Sequence, residues 1–153
     1  MMVRALVSLA FLCSPVAAFS APCTNEQLVG TWSMVSIKAE EPGVKSFYER
    51  APHEVMRFGA DGRFAYAASN KPYTLQDAQK RLDEMQKLEK ATNGSVYTFA
   101  MSEEFLFIYR NTAIFQVFNC AIVETPDQDA LPGDVLLTQF PGNPALRRVQ
   151  RRL

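Results

Sequence analysis

The chain has 153 residues, 48% hydrophobic and 21% charged, the balance of a globular protein, which excludes wholesale disorder. Its 16 basic and 16 acidic residues cancel, so there is no basic excess of the kind that nucleic-acid phosphates demand. At this length one sizeable core can be buried, and two ordinary domains cannot.

The N-terminus reads as an export signal. Met1-Met2-Val3-Arg4 supplies one positive charge, Ala5 to Cys13 runs without a charge, and Ser14-Pro15-Val16-Ala17-Ala18 is a small-residue cleavage site. The apolar stretch is well short of the ~20 residues that a spanning helix needs, so a membrane anchor is the weaker reading. Cleavage is expected after Ala18, with Ser20 as second choice, leaving residues 19–153 as a single domain without an integral membrane segment. Neither Cys13 after Leu12 nor Cys23 after Pro22 has the small preceding residue of a lipoprotein site. The expected destination is therefore a periplasm or the outside of the cell, as a soluble protein. With Arg4 removed, 15 basic residues face 16 acidic ones.

Along the domain, most segments alternate with the period of two that places side chains on opposite faces of a strand. Gly30 to Lys38 is strand-like and ends at Glu41-Pro42-Gly43, and residues 43–52 read as a loop. Glu54 to Phe58 and Arg63 to Ala68 flank Gly59-Ala60-Asp61-Gly62, the clearest hairpin in the chain. Thr74 then reads as an N-cap, and Leu75, Ala78, Leu82, Met85 and Leu88 recur at helical spacing. They predict an amphipathic helix over 75–91, stopped by Asn93-Gly94 and packed on the domain's own sheet. The period of two returns in Val96 to Met101, Phe105 to Arg110 and Ala113 to Glu124. Asp134 to Phe140 and Ala145 to Arg152 follow, paired across Pro141-Gly142-Asn143-Pro144. The count is eight antiparallel strands in sequential order with one inserted helix. Closing them on themselves removes the sheet edges, so an all-β up-and-down barrel is expected, with a sandwich or an open sheet covered by the helix as the alternative.

Leader cleavage removes Cys13 and leaves Cys23 and Cys120. An even number in an oxidising compartment predicts one disulfide. Two buried free thiols are the alternative, because Cys120 lies in the apolar run Phe115 to Val123.

Leu28-Val29-Gly30-Thr31-Trp32, at the start of the first long strand, resembles the Gly-x-Trp opening of the lipocalins, and Ser33-Met34-Val35-Ser36 follows in the manner of bacterial lipocalin-like proteins. The resemblance covers most of residues 19–153 and implies that Trp32 lies across the closed end of an eight-stranded barrel, against a basic residue of the last strand. That strand carries Arg147, Arg148, Arg151 and Arg152. Arg148 and Arg152 share one face and are the expected partners for a cation–π contact. Gly30, Trp32, Arg148 and Arg152 are thus the expected structural residues. A helix between the third and fourth strands and a cysteine near the N-terminus depart from the usual lipocalin plan.

Signals for catalysis are sparse. The lone His53 has no Cys or carboxylate at ligand spacing, so no metal is expected. There is no Gly-x-Ser-x-Gly elbow and no glycine-rich phosphate loop, and Glu40-Glu41 and Glu103-Glu104 read as solvated charges beside turns. The expectation is a non-enzyme without a cofactor. An eight-stranded barrel can be filled by side chains or can hold one small ligand. Alternation nominates Met34, Met56, Phe58, Phe64, Tyr66, Phe99, Phe107, Tyr109, Phe115 and Val117 for its interior. The leading reading is an exported protein that binds a small apolar or amphipathic molecule there, with a Tyr66 or Tyr109 hydroxyl to orient it. The alternative is a protein-binding or inhibitory module acting through Phe19 to Glu26 and the rim loops.

Overall fold

A computed structural model describes residues 20–92, 94–139 and 146–153. The expected leader over 1–18 and the turn at 141–144 lie outside the described residues. Eight strands form one antiparallel sheet that curls into a nearly closed barrel: β2 (Gly30–Ala39), β3 (His53–Phe58), β4 (Phe64–Ser69), β5 (Tyr97–Ser102), β6 (Phe105–Arg110), β7 (Ala113–Val123), β8 (Val135–Gln139) and β9 (Leu146–Arg152). Strands β2 to β4 and β5 to β9 each pair in sequential order, and β2 pairs with β9 to join the two runs. This is the expected strand set and order, and it is consistent with a lipocalin-like fold. Between β4 and β5 the strand pairing among the described residues is limited to an isolated bridge from Arg63 to Thr98. Since β5 starts at Tyr97, β4 from Ala65 onward has no strand on that side.

Residues 42–50, expected as loop, form helix α2 (Pro42–Arg50). Pro42 occupies its first turn, where a missing N–H costs nothing and a fixed φ favours the helix; the same Pro-Gly pair that ends β2 therefore also starts α2. Helix α3 (Leu75–Thr92) stands where the periodicity puts it, with the Thr74 side chain accepting from the Asp77 backbone N–H. It covers the outer face of β3 and β4, burying Val55, Ala65 and Ala67 against Ala78 and Leu82. Arg57 pins it from the sheet by pairing with Asp83 at 2.7 Å and donating to Gln86.

The N-terminal segment is held along its length. Strand β1 (Ser20–Pro22) pairs with β7 beyond the point where β6 leaves it, and Cys23 is bonded to Cys120. Helix α1 (Asn25–Leu28) follows, its first turn closed by reciprocal hydrogen bonds between Thr24 and Gln27. This short helix lies against the barrel end where Trp32 is buried. The indole N–H donates to the Leu28 carbonyl at 2.7 Å. The Arg152 guanidinium lies 4.5 Å from the indole ring centre and donates to the carbonyls of Val29 and Gln27. Of the two arginines that share the inner face, Arg152 is thus the partner of Trp32, and Arg148 lies four residues further into the barrel.

Gly30 is tied to this contact. Its φ is +144°, and a Cβ there would stand 2.4 Å from Arg152 Nη1. We expect Gly30→Ala to displace the arginine, lower stability by about 2 kcal/mol and shift the tryptophan fluorescence, all readable in one urea titration. Removing the disulfide with Cys23→Ser and Cys120→Ser releases a loop of 97 residues; chain entropy sets the loss at about 4 kcal/mol, measured as a lower urea midpoint for the double variant against the oxidised protein.

Candidate functional site

Period-two alternation sends Glu54, Met56 and Phe58 of β3 inward, paired with Ala68, Tyr66 and Phe64 of β4. From the other side of β2, Arg148 and Gln150 of β9 point the same way, opposite Leu137 and Val135 of β8. The floor is Trp32 with Phe58, Phe64, Phe99, Leu106 and Ile108, where Phe99 meets Phe58 edge to face at 5.0 Å. Above it the barrel is hollow. A cavity of about 600 Å³ is bounded by Met56, Phe58, Tyr66, Leu106, Phe118 and Arg148 on the barrel wall, and by Val44, Phe47 and Tyr48 of α2 across the top. That volume falls within the ~300–1,000 Å³ of ligand pockets.

One wall of this apolar chamber is polar. Glu54 is fully buried, and its Oε2 accepts from the Tyr48 hydroxyl at 2.8 Å. Its Oε1 accepts from Gln150 Nε2 at 2.6 Å and from Arg148 Nη1 at 3.5 Å. The Tyr66 phenol lines the cavity beside this cluster. Arg148, 6% exposed, has its guanidinium 5.3 Å from the Phe118 ring centre and 5.7 Å from that of Tyr48, so the two rings offer it cation–π contact. Two buried polar atoms of the cluster, Arg148 Nε and Gln150 Oε1, have no hydrogen-bond partner among the described residues.

Burial raises both phenols, and the Glu54 carboxylate beside them raises them further, well above the ordinary tyrosine range. They stand neutral beside a carboxylate. Glu89, which lines the cavity from α3, is also held above the usual carboxylate range by burial, partly offset by Arg110.

The residues nominated from sequence divide as follows. Met56, Phe58, Phe64, Tyr66 and Phe115 line the cavity. Phe99 is in the core beneath it. Met34 pairs with Gln150 and is half-buried, but it is not on the cavity wall. Phe107 and Tyr109 are corrections of face: they stack on each other outside the barrel, while Leu106 and Ile108 take the interior at 0% and 1% exposure. Val117 pairs with Phe107 on that outer face. Phe115 reaches the cavity because it is the extra residue of a bulge between Ile114 and Gln116. Arg148, nominated for the closed end, belongs to the cavity wall instead.

Sequence reasoning found no convergent polar set, yet Tyr48, Glu54, Arg148 and Gln150 form one. Its signal was the same alternation: Glu54 is two residues before Met56, and Arg148 and Gln150 share a face with Arg152. Among the described residues no group of three or more His, Cys, Asp or Glu side chains is placed to hold a metal, and no helix is long and apolar enough to cross a membrane. No protein-family model, curated protein or solved structure matches the chain.

The raised phenols give the cluster a pH signature. The unfolded tyrosines release protons near their ordinary pKa of 10.0 while the folded ones keep theirs, so this contribution to stability is complete below pH 10 and is lost as the pH rises above it. We expect urea midpoints to fall between pH 9 and 11 in the wild type. The fall should be shallower in Tyr48→Phe/Tyr66→Phe, which should also be less stable at pH 7 by about 2 kcal/mol because Glu54 loses a donor.

Proposed function

We propose that the protein is an exported, lipocalin-like binding protein whose residues 19–153 hold a small apolar or amphipathic molecule inside the barrel. The observation that carries this reading is the chamber itself: about 600 Å³ of space walled largely by Met, Phe, Tyr, Leu and Ile, with Arg148 and the Tyr48 and Tyr66 phenols among its polar lining. A barrel whose only task was stability would gain by filling that space, since each unfilled volume forfeits contacts. The apolar wall supplies affinity through burial, and the polar wall orients the guest. The Cys23–Cys120 bond fits an oxidising compartment, and with it the leader read from residues 1–18.

The same geometry weighs against two other uses. Proton transfer needs a group whose pKa lies near the working pH, whereas Tyr48 and Tyr66 are both pushed far upward and Glu54 sits behind them with both oxygens occupied. An inhibitory segment before β2 needs freedom to enter a partner, whereas Ser20 to Leu28 is bound by strand pairing, a disulfide and a capped helix.

Native mass spectrometry of the oxidised protein from its own host compartment, compared with the same sample denatured, tests the reading. We expect a non-covalent mass excess that disappears on denaturation, on a chain beginning at Phe19. A bare mass that also takes up no apolar dye in solution overturns it.

A further inference from the structure

Arg148 is the incomplete member of the polar wall. A guanidinium carries five N–H donors. Arg148 makes one contact with Glu54 at the 3.5 Å limit, and its Nε is unpartnered although the residue is 94% buried and lines the cavity. The carboxylate opposite is in the reverse condition, its oxygens taken by Gln150 and Tyr48 as well as by Arg148. Gln150 Oε1, the buried acceptor of the cluster without a partner among the described residues, belongs to a residue that does not line the cavity. The group that completes this wall from the cavity side must therefore bring an acceptor.

Charge decides which acceptor. Arg148 and Glu54 cancel each other. Of the other cavity-lining residues, Glu41 and Glu89 are acidic, and Arg148 is the sole cation among those described. A ligand carboxylate would leave the chamber with unbalanced negative charge in a setting poor in water, a costly arrangement. An ammonium placed at this wall would face the like charge of the guanidinium, beside a carboxylate whose oxygens already accept from Tyr48 and Gln150. Arg148 has a spare donor and no spare charge.

We propose that the barrel takes an uncharged amphiphile whose head is an acceptor oxygen, an ester, ketone or amide carbonyl, received by the Arg148 guanidinium. The apolar body lies among Met56, Phe58, Leu106, Ile108 and Phe118. This deepens the reading of the barrel as a binding chamber and rests on it. The volume, equal to roughly 20 waters at ~30 Å³ each, accommodates a body of medium chain length.

The test is a competition at pH 8 in which a neutral apolar fluorophore, N-phenyl-1-naphthylamine, is displaced from the oxidised protein by probes that differ only in the head. The probes are methyl decanoate, decanoate, decylammonium and the hydrocarbon undecane. We expect methyl decanoate to displace the dye at a concentration about 10-fold or more below the other three, the scale of a hydrogen bond to a charged donor. Arg148→Met in a Glu54→Gln background, which leaves no uncompensated carboxylate, should bring the ester down to the level of undecane while dye binding persists. Decanoate binding as tightly as its ester overturns the proposal and leaves the binding chamber standing. An ester preference that survives the loss of Arg148 does the same. Absence of dye uptake by the wild type overturns both. If the double variant does not fold, the four-probe comparison on the wild type decides alone.

Discussion

Everything inside this barrel depends on the pairing of its first and last strands. β2 and β9 run antiparallel from Trp32 opposite Arg152 to Ala39 opposite Leu146, and the ladder absorbs one extra residue at Val35. That bulge lets β2 follow the curvature of the ring while Ile37 stays opposite Arg148. Because successive residues alternate in face, the register that sets Arg152 over Trp32 also sets Gln150 and Arg148 inward, two and four residues away. A slip of one residue would turn all three out to solvent and bring Arg147, Val149 and Arg151 inside. The ion pairs of Arg147 with Asp129 and of Arg151 with Asp134 hold the outer face of β9 against such a slip.

The polar wall is costly by the standards of a core. Burying a carboxylate and a guanidinium costs several kcal/mol per ion, and a contact of 3.5 Å is too long to recover it well. The cluster holds together because neutral donors share the load. Tyr48 and Gln150 donate hydrogen bonds to Glu54, and aromatic faces lie against Arg148. Replacing the set by leucines of similar volume would serve stability better. Its presence inside the barrel is a feature that the requirements of folding do not explain.

Strand number, order and the long helix were legible because they rest on local chemistry: the Gly59–Gly62 turn, the Thr74 cap and an alternation unbroken by proline. Which face of β6 turns inward was not. Phe107 and Tyr109 are bulkier than Leu106 and Ile108, and bulk suggested interior. The phase is set instead by the tight turn at Glu103, whose φ of 54° is uncommon for a residue other than glycine. The bulge at Phe115 was equally hidden, since it is a property of the ladder with β6 and not of β7 alone. Helix α2 was masked by Pro42-Gly43, a pair read as an ending that is also a beginning. With α2 unseen, Tyr48 had no place over the barrel mouth, and Glu54 had no visible partner there.

The two ends of the barrel divide the work between stability and access. At the closed end a disulfide, a capped helix, a buried indole and a guanidinium bound to two carbonyls converge within a few residues. At the other end α2 is tied to the wall by one phenol hydroxyl, from Tyr48 to Glu54, and Phe47 and Phe115 are left 40% and 51% exposed. The sheet is also least complete on this side, where β4 runs on past the start of β5 and Glu89 reaches the cavity from α3. A hollow barrel forfeits packing in proportion to its volume, and the loss is met where the chain can be cross-linked without obstructing the cavity. The opening lies in the region with the fewest long-range ties, and the tie that spans it ends on the same carboxylate that holds Arg148. The cover over the chamber and the polar wall within it are therefore parts of one hydrogen-bond network.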